Sequence, residues 1–163
     1  MYNLSMTRAT ISRGFVLPAK PEDFVGEVRV SVELQNYDDV RDAARGRLSN
    51  DSIRRATIDV LVDTGASMLV LPRDLVESLG LETIDRSAVE YADGRRDEVD
   101  VAGMVRVVAS GRTATAPCLV GPSGTEPLLG QIVLEMMDLL VDCGRNQLVP
   151  RPESPYMPSY KIK

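Results

Sequence analysis

Ile58-Asp59-Val60-Leu61-Val62-Asp63-Thr64-Gly65-Ala66 is the stretch that decides the fold. Its apolar residues predict a buried strand that ends where Asp63 begins. Thr64 then supplies a hydroxyl that can hydrogen-bond to a partner, and Gly65 lets another backbone or a substrate approach closely. The pattern therefore predicts a carboxylate, a hydroxyl and a glycine together at the end of one strand.

Residues 58–72, with the sequence IDVLVDTGASMLVLP, resemble the first catalytic segment of the retropepsin-like aspartic proteases. Pro127-Leu128-Leu129-Gly130 and the helical-looking residues 131–139 resemble the second signature of that family. The resemblance covers about residues 55–150. It implies an all-β fold, a closed or partly open β-barrel with one or two short helices and a flap hairpin.

The resemblance also implies roles for individual residues. Asp63, Thr64 and Gly65 would be catalytic. The substrate-binding residues would be Ala66, Ser67, Tyr91, Ala92, Asp93, Gly94, Leu128, Leu129 and Gly130. Two positions depart from the family pattern: Ser67 stands where viral members often carry Asp, and Gln131-Ile132 stands where Arg or Asn-Asp is common. The second departure puts in question the hydrogen bonds that usually brace the helix.

The chemistry of this family needs two carboxylates. A pair about 3 Å apart cannot both ionise, so it holds one shared proton and supplies a base and an acid together. The sequence holds one Asp-Thr-Gly; the nearest imitation, Asp142-Cys143-Gly144, lacks the hydroxyl and is interpreted as a structural turn before a final strand. We therefore expect a symmetric homodimer in which the Asp63 side chains of the two copies meet each other across a two-fold axis.

Asp93-Gly94 lies between two strand-like runs and predicts a hairpin. Taken alone, this signal favours an ordinary surface hairpin. Its position after the catalytic segment instead favours the family's flap, which would close over an extended substrate and exclude water.

Composition limits the alternatives. The chain has 163 residues, enough for one domain, and no His, which removes Ser-His-Asp and Cys-His catalysis and the commonest zinc ligand. A net charge of −5 with interleaved Lys and Arg argues against nucleic-acid binding. Cys118 and Cys143 are expected to be free thiols, with a single disulfide as the alternative. We expect no cofactor and no metal.

The chain divides into an N-terminal arm (residues 1–24), a protease domain (25–150) with an insertion-like loop (37–54), and a Pro-rich tail (151–163). The tail would wrap the partner subunit, lie in the cleft as an inhibitor, or be disordered. No apolar run approaches the roughly 18 residues that span a bilayer, and the first 20 residues lack a signal-peptide core. We expect a cytoplasmic protein that does not bind membranes.

The function predicted from the sequence is an aspartic endopeptidase that acts on protein or peptide substrates as a homodimer. Two alternatives stay open. The fold could serve as a dimerisation or peptide-binding module with little hydrolysis. The chain could also be a latent precursor whose arm or tail blocks the cleft until self-cleavage.

Overall fold

The computed structural model describes residues 26–162. Within that range the strands are β1 Val28–Asn36, β2 Arg55–Val62, β3 Leu69–Pro72, β4 Glu82–Glu90, β5 Arg96–Ala109, β6 Arg112–Gly121, β7 Leu128–Leu129, β8 Leu139–Asp142 and β9 Gln147–Pro150. The helices are α1 Tyr37–Ala44, α2 Arg73–Ser78 and α3 Gln131–Met137, with a 3-10 turn at Asn50–Ser52. The predicted arm, residues 1–24, lies outside the described residues.

The main sheet is nearly a closed barrel. Its strand order is β1-β2-β7-β3-β6-β5-β4, and β1 also pairs with the end of β5, from Glu33 opposite Val108 to Asn36 opposite Val105. Six strands therefore form a ring, and β4 extends from it as the partner of the first half of β5. Strands β8 and β9 form a separate hairpin. The predicted all-β, partly open barrel with short helices is confirmed.

Apolar residues at alternating strand positions build the core inside this ring. Fully buried members include Val32, Leu34, Ile58, Val60, Leu69, Leu71, Val105, Val107 and Leu129. Alternation follows from the two-residue period of strands, which sends every second side chain to the inner face. Strand β2 shows it directly, because Ile58 and Val60 are buried while Thr57 and Asp59 are exposed. The strand that carries Asp63 at its end is thus fixed from one side by the core.

Helix α2 begins at Arg73, directly after Pro72, which ends strand β3. The helix ends at Ser78, two residues before Gly80. Gly80 has a φ of 61°, and the N–H groups of Gly80 and Leu81 donate to the carbonyls of Glu77 and Val76. This is the Schellman arrangement, which satisfies the last carbonyls of a helix.

The insertion-like connection 37–54 contains α1 and the 3-10 turn and is tied to the barrel at both ends. Asn36 accepts the N–H of Asp39 and donates to the carbonyls of Leu79 and Gly80. The Asp39 carboxylate binds the Arg54 guanidinium with two N–O distances of 2.7 Å. The Arg54 hydrogen bonds hold the pKa of Asp39 below its ordinary value. Asn36 therefore caps α1 and fixes its start at Tyr37.

The Pro-rich tail folds back on the C-terminal end of α3 of its own chain. Asp138, which follows α3 with a φ of 54°, is buried and accepts hydrogen bonds from the Ser154 hydroxyl and the Ser159 N–H, and it pairs with Arg151. The Tyr160 hydroxyl donates to the Met136 carbonyl. These contacts anchor the tail to α3, which is the helix of the predicted second signature.

Candidate active site

The Asp63 turn leaves the end of β2 as a tight reversal. The Asp63 N–H donates to the Leu129 carbonyl at 3.1 Å, which continues the pairing of β2 with β7 for one more residue. The Gly65 N–H donates to Asp63 Oδ1 at 2.8 Å, and the Ala66 N–H donates to the Asp63 carbonyl at 3.2 Å. Aspartate commonly accepts the N–H two residues ahead in this way. The side chain and the turn are thereby fixed together.

Two-residue strand β7 lies between the strands that enter and leave this turn. Leu128 pairs with Leu61 of β2 in parallel and with Val70 of β3 in antiparallel orientation. Leu129 is fully buried, whereas Leu128 is partly exposed. Leu128 and Leu129 therefore lie on the strand between β2 and β3, beside the turn.

Gly130 is where the backbone behind the turn comes closest to it. A Cβ atom added at this residue would lie 2.3 Å from the Met68 carbonyl oxygen and 2.8 Å from the Ala66 carbonyl oxygen. Both atoms belong to the backbone, so no side-chain rotation could relieve the contact. The position requires glycine for a packing reason.

Helix α3 braces the turn through its backbone. Gly130 precedes the helix and has no side chain to cap it. The first free N–H groups of the helix are satisfied instead by the turn: Gln131 donates to the Ala66 carbonyl at 2.8 Å and Ile132 to the Ser67 carbonyl at 3.0 Å. The Gln131 side chain donates to Glu135 within the helix. At this departure from the family pattern the brace comes from main-chain atoms.

Sequence reasoning named Ala66 and Ser67 for substrate contact and missed this brace. A signal for it was present, because the first turn of every helix leaves N–H groups that need acceptors. A helix that starts immediately after the glycine next to the turn has the turn's carbonyls within reach. Met68, which follows the turn and meets Gly130, was also missed.

The open side of the turn holds the groups expected to act. Thr64, Gly65 and Ser67 are exposed, and Asp63 and Ala66 are half-buried. Within residues 26–162, the Asp63 carboxylate accepts a hydrogen bond from the Gly65 N–H and forms no ion pair. The carboxylate thus stands at the surface of the chain, held from behind.

The predicted hairpin is present, with Tyr91, Ala92, Asp93 and Gly94 at its tip. The Tyr91 N–H donates to the Arg95 carbonyl and the Gly94 N–H to the Tyr91 carbonyl, each at 2.8 Å, and Gly94 has a φ of 81°. The Arg95 N–H holds the pKa of Asp93 below its ordinary value, and the Arg95 guanidinium lies 5.2 Å from the centre of the Tyr91 ring. The tip therefore makes its polar contacts within itself, separately from the cluster around Asp63.

The Asp142 turn joins β8 to β9. Asp142 Oδ1 accepts the N–H groups of Gly144 and Arg145, each at 3.1 Å, as expected for a structural turn. Neither cysteine forms a disulfide: Cys143 is exposed in this turn, and burial raises the pKa of the Cys118 thiol to about 12. Residues 26–162 contain no group of three His, Cys, Asp or Glu side chains placed to hold a metal ion.

None of the helices in the described part of the chain is long and apolar enough to cross a bilayer. The family model described as gag-polyprotein putative aspartyl protease matches residues 50–136, just over half of the chain. The matched range contains the Asp63 turn, the 91–95 hairpin and the Gly130 brace. No curated protein matches the sequence.

Proposed function

Because the chain belongs to the gag-polyprotein putative aspartyl protease family, a retropepsin-like aspartic protease family, we propose that it hydrolyses peptide bonds as a homodimer. The observation that carries the proposal is the Asp63 turn: a carboxylate at a strand end, braced from behind by Gly130 and α3 and open in front. A rigid scaffold behind a half-buried acid that is open on one side is what general acid–base catalysis needs.

A second copy of the chain would complete the site. One Asp-Thr-Gly supplies one carboxylate, and the other member of the pair would be Asp63 of the partner subunit. The exposed Thr64 hydroxyl is available for a hydrogen bond across the two-fold axis. Such a pair shares one proton, so one carboxylate is a base while the other is an acid.

The proposed reaction proceeds without a covalent intermediate. The ionised Asp63 takes a proton from a water molecule, whose oxygen attacks the scissile carbonyl carbon, while the protonated Asp63 of the other copy donates to the carbonyl oxygen. The tetrahedral diol then collapses: the C–N bond breaks, the leaving nitrogen receives the proton that the first Asp63 took from water, and a diol hydroxyl returns its proton to the second Asp63 as the new carboxyl group forms. Gly65 would bind the substrate through its backbone carbonyl, and Ala66 and Ser67 would line the cleft wall.

The hairpin tip would act as the flap. Strand β4 is largely exposed and, within the described part of the chain, pairs with β5 alone, so the hairpin projects from the barrel. An extended peptide would be held between the Asp63 turn and the residues Tyr91, Ala92, Asp93 and Gly94. Closure of such a hairpin excludes water and commits the substrate.

Cleavage of casein between pH 4 and pH 7 tests the proposal, with pepstatin as inhibitor. We expect activity in the wild type, inhibition by pepstatin and loss of activity in Asp63→Asn. Specific activity should also fall on dilution, in parallel with the dimer fraction measured by sedimentation, because the site needs two copies. A dimer that is as inert as Asp63→Asn would contradict the proposed hydrolysis and favour a binding module or a latent precursor.

A further inference from the structure

The tail, residues 151–162, is fastened to the end of helix α3 by a cluster of polar contacts around Asp138. This residue directly follows the helix and is only 8% exposed. Its carboxylate accepts hydrogen bonds from the Ser154 hydroxyl and the Ser159 N–H, and it pairs with Arg151. A carboxylate that is this buried needs partners of this kind, and the tail supplies them.

Arg112, the first residue of β6, joins the tail to the same end of α3. It is 4% exposed, and its guanidinium donates to the Met137 carbonyl at 3.2 Å and to the Ser154 carbonyl. The Tyr160 hydroxyl donates to the Met136 carbonyl. Met136 and Met137 are the last two residues of the helix. Because the last carbonyls of a helix have no partner inside it, these donors replace the missing ones.

The other end of α3 is fastened to the Asp63 turn. The N–H groups of Gln131 and Ile132, its first two residues, donate to the Ala66 and Ser67 carbonyls at 2.8 Å and 3.0 Å. The helix has only seven residues and is therefore about 10 Å long, and its inner face is buried in the core. A displacement of one end of so short a packed helix also displaces the other end.

We propose that the tail is a positioning element for catalysis: by holding the C-terminal end of α3, it keeps the Asp63 turn in the geometry that the reaction needs. The inference rests on the proposed proteolysis. The family match ends at residue 136, so Asp138 and the tail lie beyond the matched range. A misplacement of about 1 Å can cost a reaction about a hundredfold in rate, so a support of this kind controls turnover without touching the substrate.

The test removes two hydroxyl groups of the tail from the full chain. In the double variant Ser154→Ala, Tyr160→Phe, the Asp138 carboxylate and the Met136 carbonyl each lose one hydrogen bond, and no charge changes. We expect kcat for a peptide substrate to fall about tenfold, because Asp63 is less well positioned. KM should change by less than about twofold, since the proposed substrate contacts are left in place. Rates are compared at equal dimer concentration.

Amide hydrogen exchange follows the same connection without any need for activity. The N–H groups of Gln131 and Ile132 should exchange faster in the double variant, because their hydrogen bonds to the turn open more often. Those within strand β2 should exchange at the wild-type rate. Tyr156→Phe is the matched control, since Tyr156 lies in the same tail and is 94% exposed. It should retain the wild-type kcat and the wild-type exchange rates.

Unchanged exchange at Gln131 and Ile132 overturns the inference, and so does faster exchange there with a wild-type kcat. Equally accelerated exchange within β2 also overturns it, because the tail would then stabilise the whole fold rather than the turn. A wild type that cleaves no peptide contradicts the proposed function and, with it, the catalytic part of the inference. In that case the exchange rates still decide whether the tail holds the turn.

Discussion

The chain contains two Asp-X-Gly turns with nearly the same local structure. In both, the aspartate Oδ1 accepts the N–H of the glycine two residues ahead, at 2.8 Å for Asp63 and 3.1 Å for Asp142. The first turn connects β2 to β3, which are separated in the sheet by β7. The second connects β8 to β9, which are direct neighbours in a hairpin.

This difference decides what each turn can do. The Asp142 turn is held by the hydrogen bonds between its own two strands, β8 and β9. Asp142 adds an ion pair with Arg145 at 3.5 Å. The Asp63 turn joins two strands that do not pair with each other. It is held instead by the close packing of Gly130 and by hydrogen bonds from the first N–H groups of α3. The comparison teaches that turn chemistry is local, whereas the rigidity of the proposed site comes from residues about 65 positions further along the chain.

Removing the carboxylate from one turn or the other should give the largest difference in cleavage rate between the two turns. Asp63→Asn is expected to lower the initial rate of casein cleavage by about a thousandfold, because it removes the general acid and base. Asp142→Asn should leave the rate within about twofold, since asparagine keeps the side-chain oxygen that the turn needs. Rates are compared at equal dimer concentration. Equal losses of cleavage rate in both variants would mean that the surroundings of the Asp63 turn do not give it a role that the Asp142 turn lacks.

Filling the space at Gly130 should remove the support that only the first turn has. The added Cβ of Gly130→Ala meets backbone carbonyls of the turn, so the turn must move. We expect the free energy of unfolding to fall by about 3 kcal/mol, the upper range for an overpacked site, and cleavage to fall with it. Urea unfolding measures the first quantity and casein cleavage the second.

Gly111→Ala is the control for this change. Gly111 has a φ of 72° but open space around its Cα, so alanine there should cost about 1 kcal/mol from backbone conformation alone. If Gly130→Ala costs no more than Gly111→Ala, then the close approach behind the turn does not stabilise it.

Local signals explain how much of this structure could be predicted from sequence. The barrel strands follow from alternation such as Val32 and Leu34 in β1, the hairpin tip from Asp93-Gly94, and the end of α2 from Gly80. Each signal involves residues close together in the chain. The Asp63 turn belongs to the same class, because strand, carboxylate and glycine are consecutive.

The remainder depends on contacts between distant residues. Asp39 binds Arg54, which is 15 positions away, and Arg112 donates to the Ser154 carbonyl, which is 42 positions away. The chain has many acids and arginines, so no pattern singles out these partners. For the same reason, the anchoring of the tail had no sequence signal.

Alanine at the glycine of each turn should produce a smaller difference between the two turns, of about tenfold in cleavage rate. A Cβ at Gly65 would lie 3.1 Å from Asp63 Oδ1, so Gly65→Ala should displace the carboxylate and lower cleavage about tenfold. A Cβ at Gly144 would lie 3.4 Å from Asp142 Oδ1, an ordinary contact, and Gly144→Ala should retain the wild-type rate. Thermal unfolding would show whether either change acts through the fold. A wild-type rate in Gly65→Ala would show that the carboxylate tolerates this displacement.

The smallest expected effect is a pH-dependent change in stability at Asp138, directly after α3. Helix α3 supports the first turn at its N-terminal end, and Asp138 connects its C-terminal end to β8 and the second turn. The Ser154 hydroxyl, the Ser159 N–H and Arg151 hold the pKa of Asp138 below its ordinary value. A lowered folded-state pKa contributes stability above the unfolded pKa of about 3.9, and this contribution is lost as pH falls through the folded value. Asp138→Asn keeps a residue that tolerates positive φ, so wild type should unfold at a higher temperature than the variant at pH 6, with the difference narrowing toward pH 3. Ser154→Ala should show the same narrowing, because it removes the hydrogen bond that the Ser154 hydroxyl donates to the carboxylate. A difference that stays constant from pH 6 to pH 3 would show that the Asp138 charge does not hold the tail to α3.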